Sequence, residues 1–182
     1  LFARIEAGQW LPDWRPDRDY RDGYSASASR GGGVALDLSH EIDYMRLIFG
    51  MPATWSTHRA VTGLLEGDSE DVFEAVYSFE GGAICSVHLD YLERRPRRLI
   101  RIVGEAGTIE CDIPGRRLDV TAGGVVEALG AADLFDVQCT YVREMEAFFA
   151  EVGGTPSGLP TLEDAMDVLD LLRDPNGGAI DV

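Results

Sequence analysis

Between residues 53 and 127 the chain alternates apolar and polar residues in short runs separated by glycine-containing turns. This period of two is typical of β-strands that have one face in a core. Strands are predicted at 54–62, 72–79, 83–91, 98–103, 108–113, 117–121 and 124–127. The turn Glu80-Gly81-Gly82 between the second and third of these is typical of a hairpin. The block therefore predicts an open, mostly antiparallel (mixed) sheet of about six or seven strands.

Residues with helical spacing stand on both sides of this block. Before it, an apolar stripe predicts one helix from about 33 to 49, and the stripe consists of Val34, Leu38, Ile42, Met45 and Phe49. After it, two closing helices are predicted, the second capped by Thr161. Residues 1–7 are expected to be the end of a helix. Residues 174–182, which contain Pro, Asn and Gly, are expected to be frayed.

The order of these elements implies a single α+β domain over residues 1–182, with helices on one face of the sheet. Its parts are an entry segment and loop at 1–30, a glycine-led helix at 31–50, the sheet at 53–127 and the closing helices at 134–173. The strand at 72–79 has apolar residues on its second face as well, at Val72 and Val76. A partner subunit is expected to cover that face, which predicts a homo-oligomer.

Charge and composition exclude several classes of partner. A net charge of −16 argues against nucleic acid or an anionic membrane surface, and no apolar run of about 18 residues is present to span a membrane. All 16 basic residues are arginines, so a lysine nucleophile or general acid cannot come from this chain. Three cysteines without a CxxC pair, and histidines without a metal-ligand spacing, predict neither a disulfide framework nor a metal site. A cytoplasmic protein is expected.

The helix at 33–49 carries a second, polar surface. Taking about 100° per residue, Asp37, His40 and Tyr44 fall together, well away from the apolar stripe. Because imidazoles titrate near neutral pH, His40 is a candidate proton relay, with Asp37 as its orienting acid and Tyr44 as a substrate contact. The alternatives are a surface histidine hydrogen-bonded to Asp37 or Asp43, an Asp37 that only stabilises the helix N-terminus, and a Tyr44 that only packs at a domain seam.

Residues 12–30 form a long Pro-, Asp- and Arg-rich loop, and long loops inside compact domains are usually functional. Trp14 is suited to stack on a sugar face, while Arg15 and Arg18 are suited to bind a carboxylate or a phosphate. These three residues are therefore candidates for substrate binding. Packing of the loop at a dimer contact is the alternative.

The segment GGGVALDLSHEIDYMRLIFG at 31–50 resembles the glycine-rich helix that opens the C-terminal domain of the Gfo/Idh/MocA family, whose members are NAD(P)-dependent sugar and cyclitol oxidoreductases. The segment GQWLPDWRPDRDYRD resembles the loop of members that act on nucleotide-linked or acidic sugars. IRIVGEAGTIECDIPGRRLDV resembles paired strands of the family, and TLEDAMDVLDLL resembles its closing helix. The resemblance extends over nearly the whole chain in the family's order.

This resemblance implies a Rossmann domain that carries NAD or NADP, followed by a domain for substrate contacts and oligomerisation. A lysine of the nucleotide domain works with an acid and a histidine, which map here to Asp37 and His40, and Asp43 is a second candidate for the acid. Gly32 and Gly33 are expected to let the backbone approach the cofactor or the nucleotide domain. A flexible lead-in to the helix is the alternative for both glycines.

The chain departs from the family pattern in two ways. Asp37 and His40 are separated by three positions instead of the usual four, and neither a G-x-G-x-x-G fingerprint nor a lysine is present. We therefore expect an isolated C-terminal domain that by itself neither binds NAD(P) nor turns over. Its expected role is substrate binding and oligomerisation in an oxidoreductase for a sugar, nucleotide-linked sugar or cyclitol. A freestanding dimerisation or sugar-binding module is the alternative.

Overall fold

The computed structural model describes residues 1–130 and 134–173 of the chain, so the predicted fraying of 174–182 lies outside the described residues. The described strands are β1 (Phe2–Gly8), β2 (Thr54–Ala60), β3 (Val72–Ser78), β4 (Ile84–Asp90), β5 (Arg97–Val103), β6 (Gly107–Asp112), β7 (Arg117–Ala122) and β8 (Val125–Ala128). The described α-helices are α1 (Val34–Asp37), α2 (His40–Phe49), α3 (Val137–Val152) and α4 (Leu162–Leu171).

The eight described strands form one open sheet in the order β2-β3-β4-β1-β5-β6-β7-β8. β1 runs parallel to β4, and every other neighbouring pair is antiparallel. The α+β class and the mixed, mostly antiparallel sheet are therefore confirmed, with one strand more than the upper end of the predicted number.

The additional strand is β1, and the prediction of a helix at residues 1–7 is wrong. β1 inserts between β4 and β5, so both of its edges are paired. Ala3, Ile5 and Ala7 alternate into the core, with Ile5 fully buried. Alanine and glutamate favour helices locally, but the partners on both sides of this position determine the structure.

One face of the sheet carries the core. The side chains that alternate onto it are buried as predicted, and those of β3 and β4 are Phe73, Ala75, Tyr77, Cys85, Val87 and Leu89. The helices α1, α2 and α4 cover this face. The hydroxyl of Tyr77 donates a hydrogen bond of 2.9 Å to the carbonyl of Leu171, which ties the end of α4 to the sheet. α3 contributes no buried side chain, so this cover does not depend on it.

The helix predicted at 33–49 is interrupted. α1 ends at Asp37, Leu38 and Ser39 form a turn, and α2 begins at His40. The amides of Ile42 and Asp43 then donate to the carbonyl of Ser39, which restarts the helix. The apolar stripe is nevertheless confirmed, because Val34, Ile42 and Met45 have no exposed surface and Leu38 and Phe49 pack against the core.

α4 begins as the sequence predicts and is held against α2 by charge. The Thr161 hydroxyl accepts from the Asp164 amide and the Asp164 carboxylate accepts from the Thr161 amide, so the cap is a reciprocal capping box. Arg46 of α2 forms an ion pair with Asp164 and a second one, at 3.6 Å, with Asp167. The closing helix therefore extends the helical layer next to α2.

The face of the sheet opposite the helices, here called the open face, mixes apolar and charged side chains. Phe2, Val76 and Ile84 are 45–49% exposed on it. Beside them His88 contacts Glu74 through Nδ1 at 2.6 Å and Asp90 through Nε2 at 3.1 Å. The contact with Asp90, followed by that with Glu74, raises the pKa of His88 to about 9, although its partial burial acts in the opposite direction.

This cluster predicts a decline in stability at alkaline pH. The pKa of His88 is raised above its ordinary value of 6.5. The protonated ring therefore contributes fully to the free energy of unfolding below pH 6.5, and this contribution is lost as the pH rises toward about 9. We expect the urea midpoint of the wild-type protein to fall across this interval more steeply than that of His88→Gln. Urea unfolding at several pH values measures this, and parallel pH profiles of the two proteins would contradict it.

Candidate functional site

The loop between β1 and α1 forms the wall of a cavity of about 400 Å³. Three short 3-10 turns at Leu11–Asp13, Tyr20–Asp22 and Ala28–Arg30 give the loop its shape. All three loop residues predicted to bind substrate, Trp14, Arg15 and Arg18, line this cavity. The structure therefore brings together residues that the sequence grouped only by their proximity in the chain.

A second cavity of about 280 Å³ lies where the loop, the start of α2 and β5 meet. His40 lines it, with its side chain 49% exposed, together with Glu41 and Arg98. Trp14 lines both cavities, so the cavity with Arg15 and Arg18 adjoins the cavity with His40 at this residue. A ligand that spans this indole would contact both sets of residues.

Asp37 connects the loop to the helix. One of its carboxylate oxygens accepts hydrogen bonds of 2.6 Å from the hydroxyls of Ser25 and Tyr91. Burial raises the pKa of Tyr91 far above its ordinary range, and the bond to Asp37 raises it further, so the phenol remains a neutral donor. The Trp14 ring packs edge-on against Tyr91, with the ring centroids 5.4 Å apart. Asp37 thus contacts the loop through Ser25, and the hydroxyl groups of Ser25 and Tyr91 orient its carboxylate.

The carboxylate beside His40 is neither of the two expected from the sequence. Asp37 is bound as described above, and Asp43 lies 4.0 Å from Arg46 on its own helix. Nε2 of His40 instead lies 3.2 Å from Oε1 of Glu41. The catalytic roles predicted for Asp37, His40 and Asp43 remain predictions, and the acid that the structure places beside His40 is Glu41.

Sequence reasoning missed Glu41 and Arg98. Glu41 has no exposed surface, and its Oε1 lies 2.6 Å from Nε of Arg98. A signal for Glu41 was available, because at 100° per residue it falls about 20° from Val34 on the apolar stripe. Arg98 is brought to the site by the register of β5, in which it pairs with Ala7 of β1, and no local pattern reveals that register.

Tyr44 lies next to Arg98 of the Glu41–Arg98 pair. It is partly buried against the core, and Cζ of Arg98 lies 5.8 Å from the centroid of its ring. Its hydroxyl is buried and has no hydrogen-bond partner among the residues that the structure describes. This placement supports the packing interpretation, while the substrate contact remains a prediction.

The two glycines predicted to approach the cofactor have close neighbours within the chain itself. A Cβ atom at Gly32 would lie 2.0 Å from the carbonyl oxygen of Tyr24. Gly33 has φ 126°, and a Cβ atom there would lie 2.3 Å from the carboxylate of Glu70. The backbone of the loop at Gly32 and the positive φ at Gly33 are therefore sufficient to require glycine at these positions. Their role toward a cofactor remains a prediction.

Two further findings bear on the class of protein. Within residues 1–130 and 134–173, no three His, Cys, Asp or Glu side chains are grouped in a way that could hold a metal ion. Across the same residues no helix combines the length and the apolar character needed to cross a membrane.

The sequence matches the family model described as the GFO/IDH/MocA C-terminal domain over residues 2–110, which is more than half of the chain. The chain belongs to the Gfo/Idh/MocA family. The matched region extends from β1 through the loop and the interrupted helix into β6, so it contains every candidate site residue. No curated protein matches the chain.

Solved structures of oxidoreductases share the fold. Levoglucosan dehydrogenase in complex with NADH and levoglucosan has a TM-score of 0.77 at 18% identity, over 94% of this chain and 55% of its own. An oxidoreductase from Agrobacterium radiobacter in complex with NAD⁺, L-tartaric acid and magnesium has a TM-score of 0.73 at 20% identity, over 94% and 52%. UDP-N-acetylglucosamine 3-dehydrogenase from Acidithiobacillus ferrooxidans has a TM-score of 0.68 at 19% identity, over 93% and 50%. The chain therefore spans about half the length of these proteins.

Proposed function

We propose that this chain is the substrate-binding and oligomerisation domain of an NAD(P)-dependent oxidoreductase that acts on a hydroxyl group of a sugar, nucleotide-linked sugar or cyclitol. The observation that carries this proposal is the position of His40, which maps to the family's histidine, at a cavity that shares Trp14 with the cavity of the loop. Family membership supplies the class of reaction, and the two cavities supply a place for its substrate.

NAD(P), when bound, would accept the hydride from the carbon that bears the substrate hydroxyl. The chain carries no G-x-G-x-x-G fingerprint for a dinucleotide. Atoms of the chain itself also occupy the Cβ directions of the two candidate glycines, a backbone carbonyl at Gly32 and the carboxylate of Glu70 at Gly33. We therefore assign the cofactor to a separate nucleotide-binding domain, and the chain alone is expected to be inactive.

We assign to His40 the transfer of the substrate's hydroxyl proton. Its half-exposed imidazole can accept the hydroxyl proton as the carbon loses its hydride, and can return that proton in the reverse direction. Asp37 would tie the loop, through Ser25, to the end of α1 and to Tyr91. Asp43 remains the second candidate for the acid of the family.

We propose that the loop between β1 and α1 recognises the substrate. The indole of Trp14 can stack on the apolar face of a sugar ring, as aromatic side chains do in carbohydrate sites. Arg15 and Arg18 can bind a phosphate or carboxylate on the same ligand. Asp17, Asp19 and Asp22 line the same cavity and can accept hydrogen bonds from sugar hydroxyls. The lining therefore suits a ligand rich in hydroxyl groups, with the arginines available to an anionic group.

The experiment that tests this function is an assay of the full-length protein with NAD⁺ and with NADP⁺. We expect NAD(P)H formation with at least one member of a panel of levoglucosan, UDP-N-acetylglucosamine, inositol and uronic acids. The alternative is a freestanding sugar-binding or dimerisation module. Saturable binding of a panel member without any reduction of either cofactor would favour that module and overturn the enzyme assignment.

The open face is assigned to self-association, because Phe2, Val76 and Ile84 are exposed on the neighbouring strands β1, β3 and β4. We expect Val76→Glu to convert the wild-type oligomer to monomers, since it would bury a carboxylate without a partner at the interface. Light scattering after size-exclusion chromatography measures the mass. Leu47→Glu, at a position 82% exposed on α2, is the matched control and should leave the oligomer intact. An unchanged mass in Val76→Glu would exclude this face.

A further inference from the structure

Glu41 is a fully buried carboxylate beside the candidate proton relay. It shows no exposed surface, although it follows directly after the half-exposed His40 at the start of α2. A buried carboxylate is costly unless charge or hydrogen bonding compensates it. An apolar residue would fill this position on the stripe at lower cost, so the acid requires an explanation.

The charge that compensates the Glu41 carboxylate is the guanidinium of Arg98. Arg98 of β5 reaches over Tyr44 and places its Nε 2.6 Å from Oε1 of Glu41. The N–H bond is not aligned with that oxygen, so the contact is an ion pair without a directed hydrogen bond. The Arg98 side chain is 36% exposed and lines the same cavity as His40. Glu41 therefore contacts Arg98 at Nε, and the Arg98 side chain also lines the cavity.

The same carboxylate oxygen is the acid nearest to the imidazole. Oε1 of Glu41 lies 3.2 Å from Nε2 of His40, whereas Asp37 is held by Ser25 and Tyr91 and Asp43 lies beside Arg46. Like the contact with Arg98, this one is electrostatic and lacks a directed hydrogen bond. A negative charge so close favours the N–H edge of the imidazole at Nε2, which leaves Nδ1 of a neutral ring as the acceptor. It also opposes rotation of a side chain that is otherwise half exposed.

We propose that Glu41 is a positioning residue of the site, whose buried carboxylate orients His40 and Arg98 along one wall of the cavity. Glu41 thereby takes the place that the sequence assigned to Asp37 or Asp43 as the partner of the histidine. This role deepens the proposed function and rests on it, because an ordered imidazole matters for catalysis only if His40 moves the substrate proton. Glu41 itself does not contact the reacting atoms.

The test measures the order of the His40 side chain directly and needs no substrate. In the intact protein labelled with ¹³C,¹⁵N-histidine, we expect His40 to occupy a single χ1 rotamer and to carry a proton on Nε2, from three-bond couplings and ring ¹⁵N–¹H correlations. In Glu41→Leu, which removes the acceptor at nearly constant volume, we expect averaging among χ1 rotamers and loss of the Nε2 preference. The signals are assigned with His40→Gln.

The matched control is Glu6→Leu. Glu6 also pairs with an arginine of β5, Arg97, at 2.5 Å. Glu6 lies on the open face and does not line the His40 cavity, whereas Arg97 does, so this control frees an arginine at the same cavity and leaves Glu41 in place. The control should leave His40 ordered. If Glu41→Leu does not fold, the double variant Glu41→Leu/Arg98→Leu removes the pair without leaving an unpaired charge, and the same averaging is expected.

Two results would overturn the assignment: rotamer averaging of His40 in the wild-type protein, or a ring in Glu41→Leu that is as ordered as in the wild type. Neither result depends on turnover, so an inactive protein with an ordered His40 would contradict the proposed function and not the positioning by Glu41. An active protein with a disordered His40 would contradict the positioning by Glu41 and leave the proposed function standing.

Discussion

Replacing His40 with alanine in the full-length oxidoreductase is expected to lower kcat/KM by about 10²–10⁴-fold, the range typical of a lost general acid or base. His40 lines the cavity that adjoins the loop, and its half-exposed imidazole is available to a ligand there. Steady-state kinetics with NAD⁺ and the preferred member of the sugar panel measure the effect. Since a proton relay acts in the transition state, kcat should carry most of the loss and KM little of it.

The control for this prediction is His58→Ala. His58 lies on β2 with its side chain on the open face, because its neighbours Thr57 and Arg59 lie on the helix side of the sheet. It should retain wild-type kcat/KM. A change of less than about threefold in His40→Ala would remove His40 from the chemistry and return it to the surface-histidine interpretation.

Gly32→Ala is expected to destabilise the protein by about 3 kcal/mol, at the upper end of what overpacking costs. The added Cβ would lie 2.0 Å from the carbonyl oxygen of Tyr24 and 2.7 Å from that of Ser27. Both are backbone atoms, so relief requires movement of the loop itself. Urea unfolding gives the change in the free energy of unfolding. A loosened loop should also weaken binding of the sugar ligand, because the loop carries Trp14.

Gly31→Ala is the neighbouring control. Gly31 has φ 75°, and a Cβ atom added there would meet no other atom within 4 Å, so only the left-handed backbone is penalised, at about 1 kcal/mol. If Gly32→Ala retained wild-type stability and lost only activity with NAD⁺, the glycine would serve the cofactor and not the packing of the loop.

Much of the sheet was predictable from the sequence. The alternation in 72–79 and 83–91 places Tyr77 and Val87 in the core because the side-chain period of a strand is two wherever one face is buried. The capping box at Thr161 was equally readable, since it involves residues three positions apart. The loop residues Trp14, Arg15 and Arg18 were grouped for the same local reason, and they do line one cavity.

Other features depended on partners distant in the chain. β1 has a composition compatible with a helix, and it is a strand because β4 and β5 pair with both of its edges. The interruption at Leu38 and Ser39 separates Asp37 from His40, and the continuous apolar stripe of the sequence did not predict it. The one clue that was readable and missed is the glutamate on the apolar stripe of the helix.

The sequence by itself determined the strand faces, the apolar stripe of the interrupted helix and the family, because these depend on residue type at short, regular spacings. Only the tertiary structure decided which groups meet at the candidate site. Glu41, Arg98 and His40 come together because β5 lies beside β1 in a register that brings Arg98 opposite Ala7, next to the start of α2. Such a register is set by the packing of the whole sheet and leaves no local periodicity in the chain.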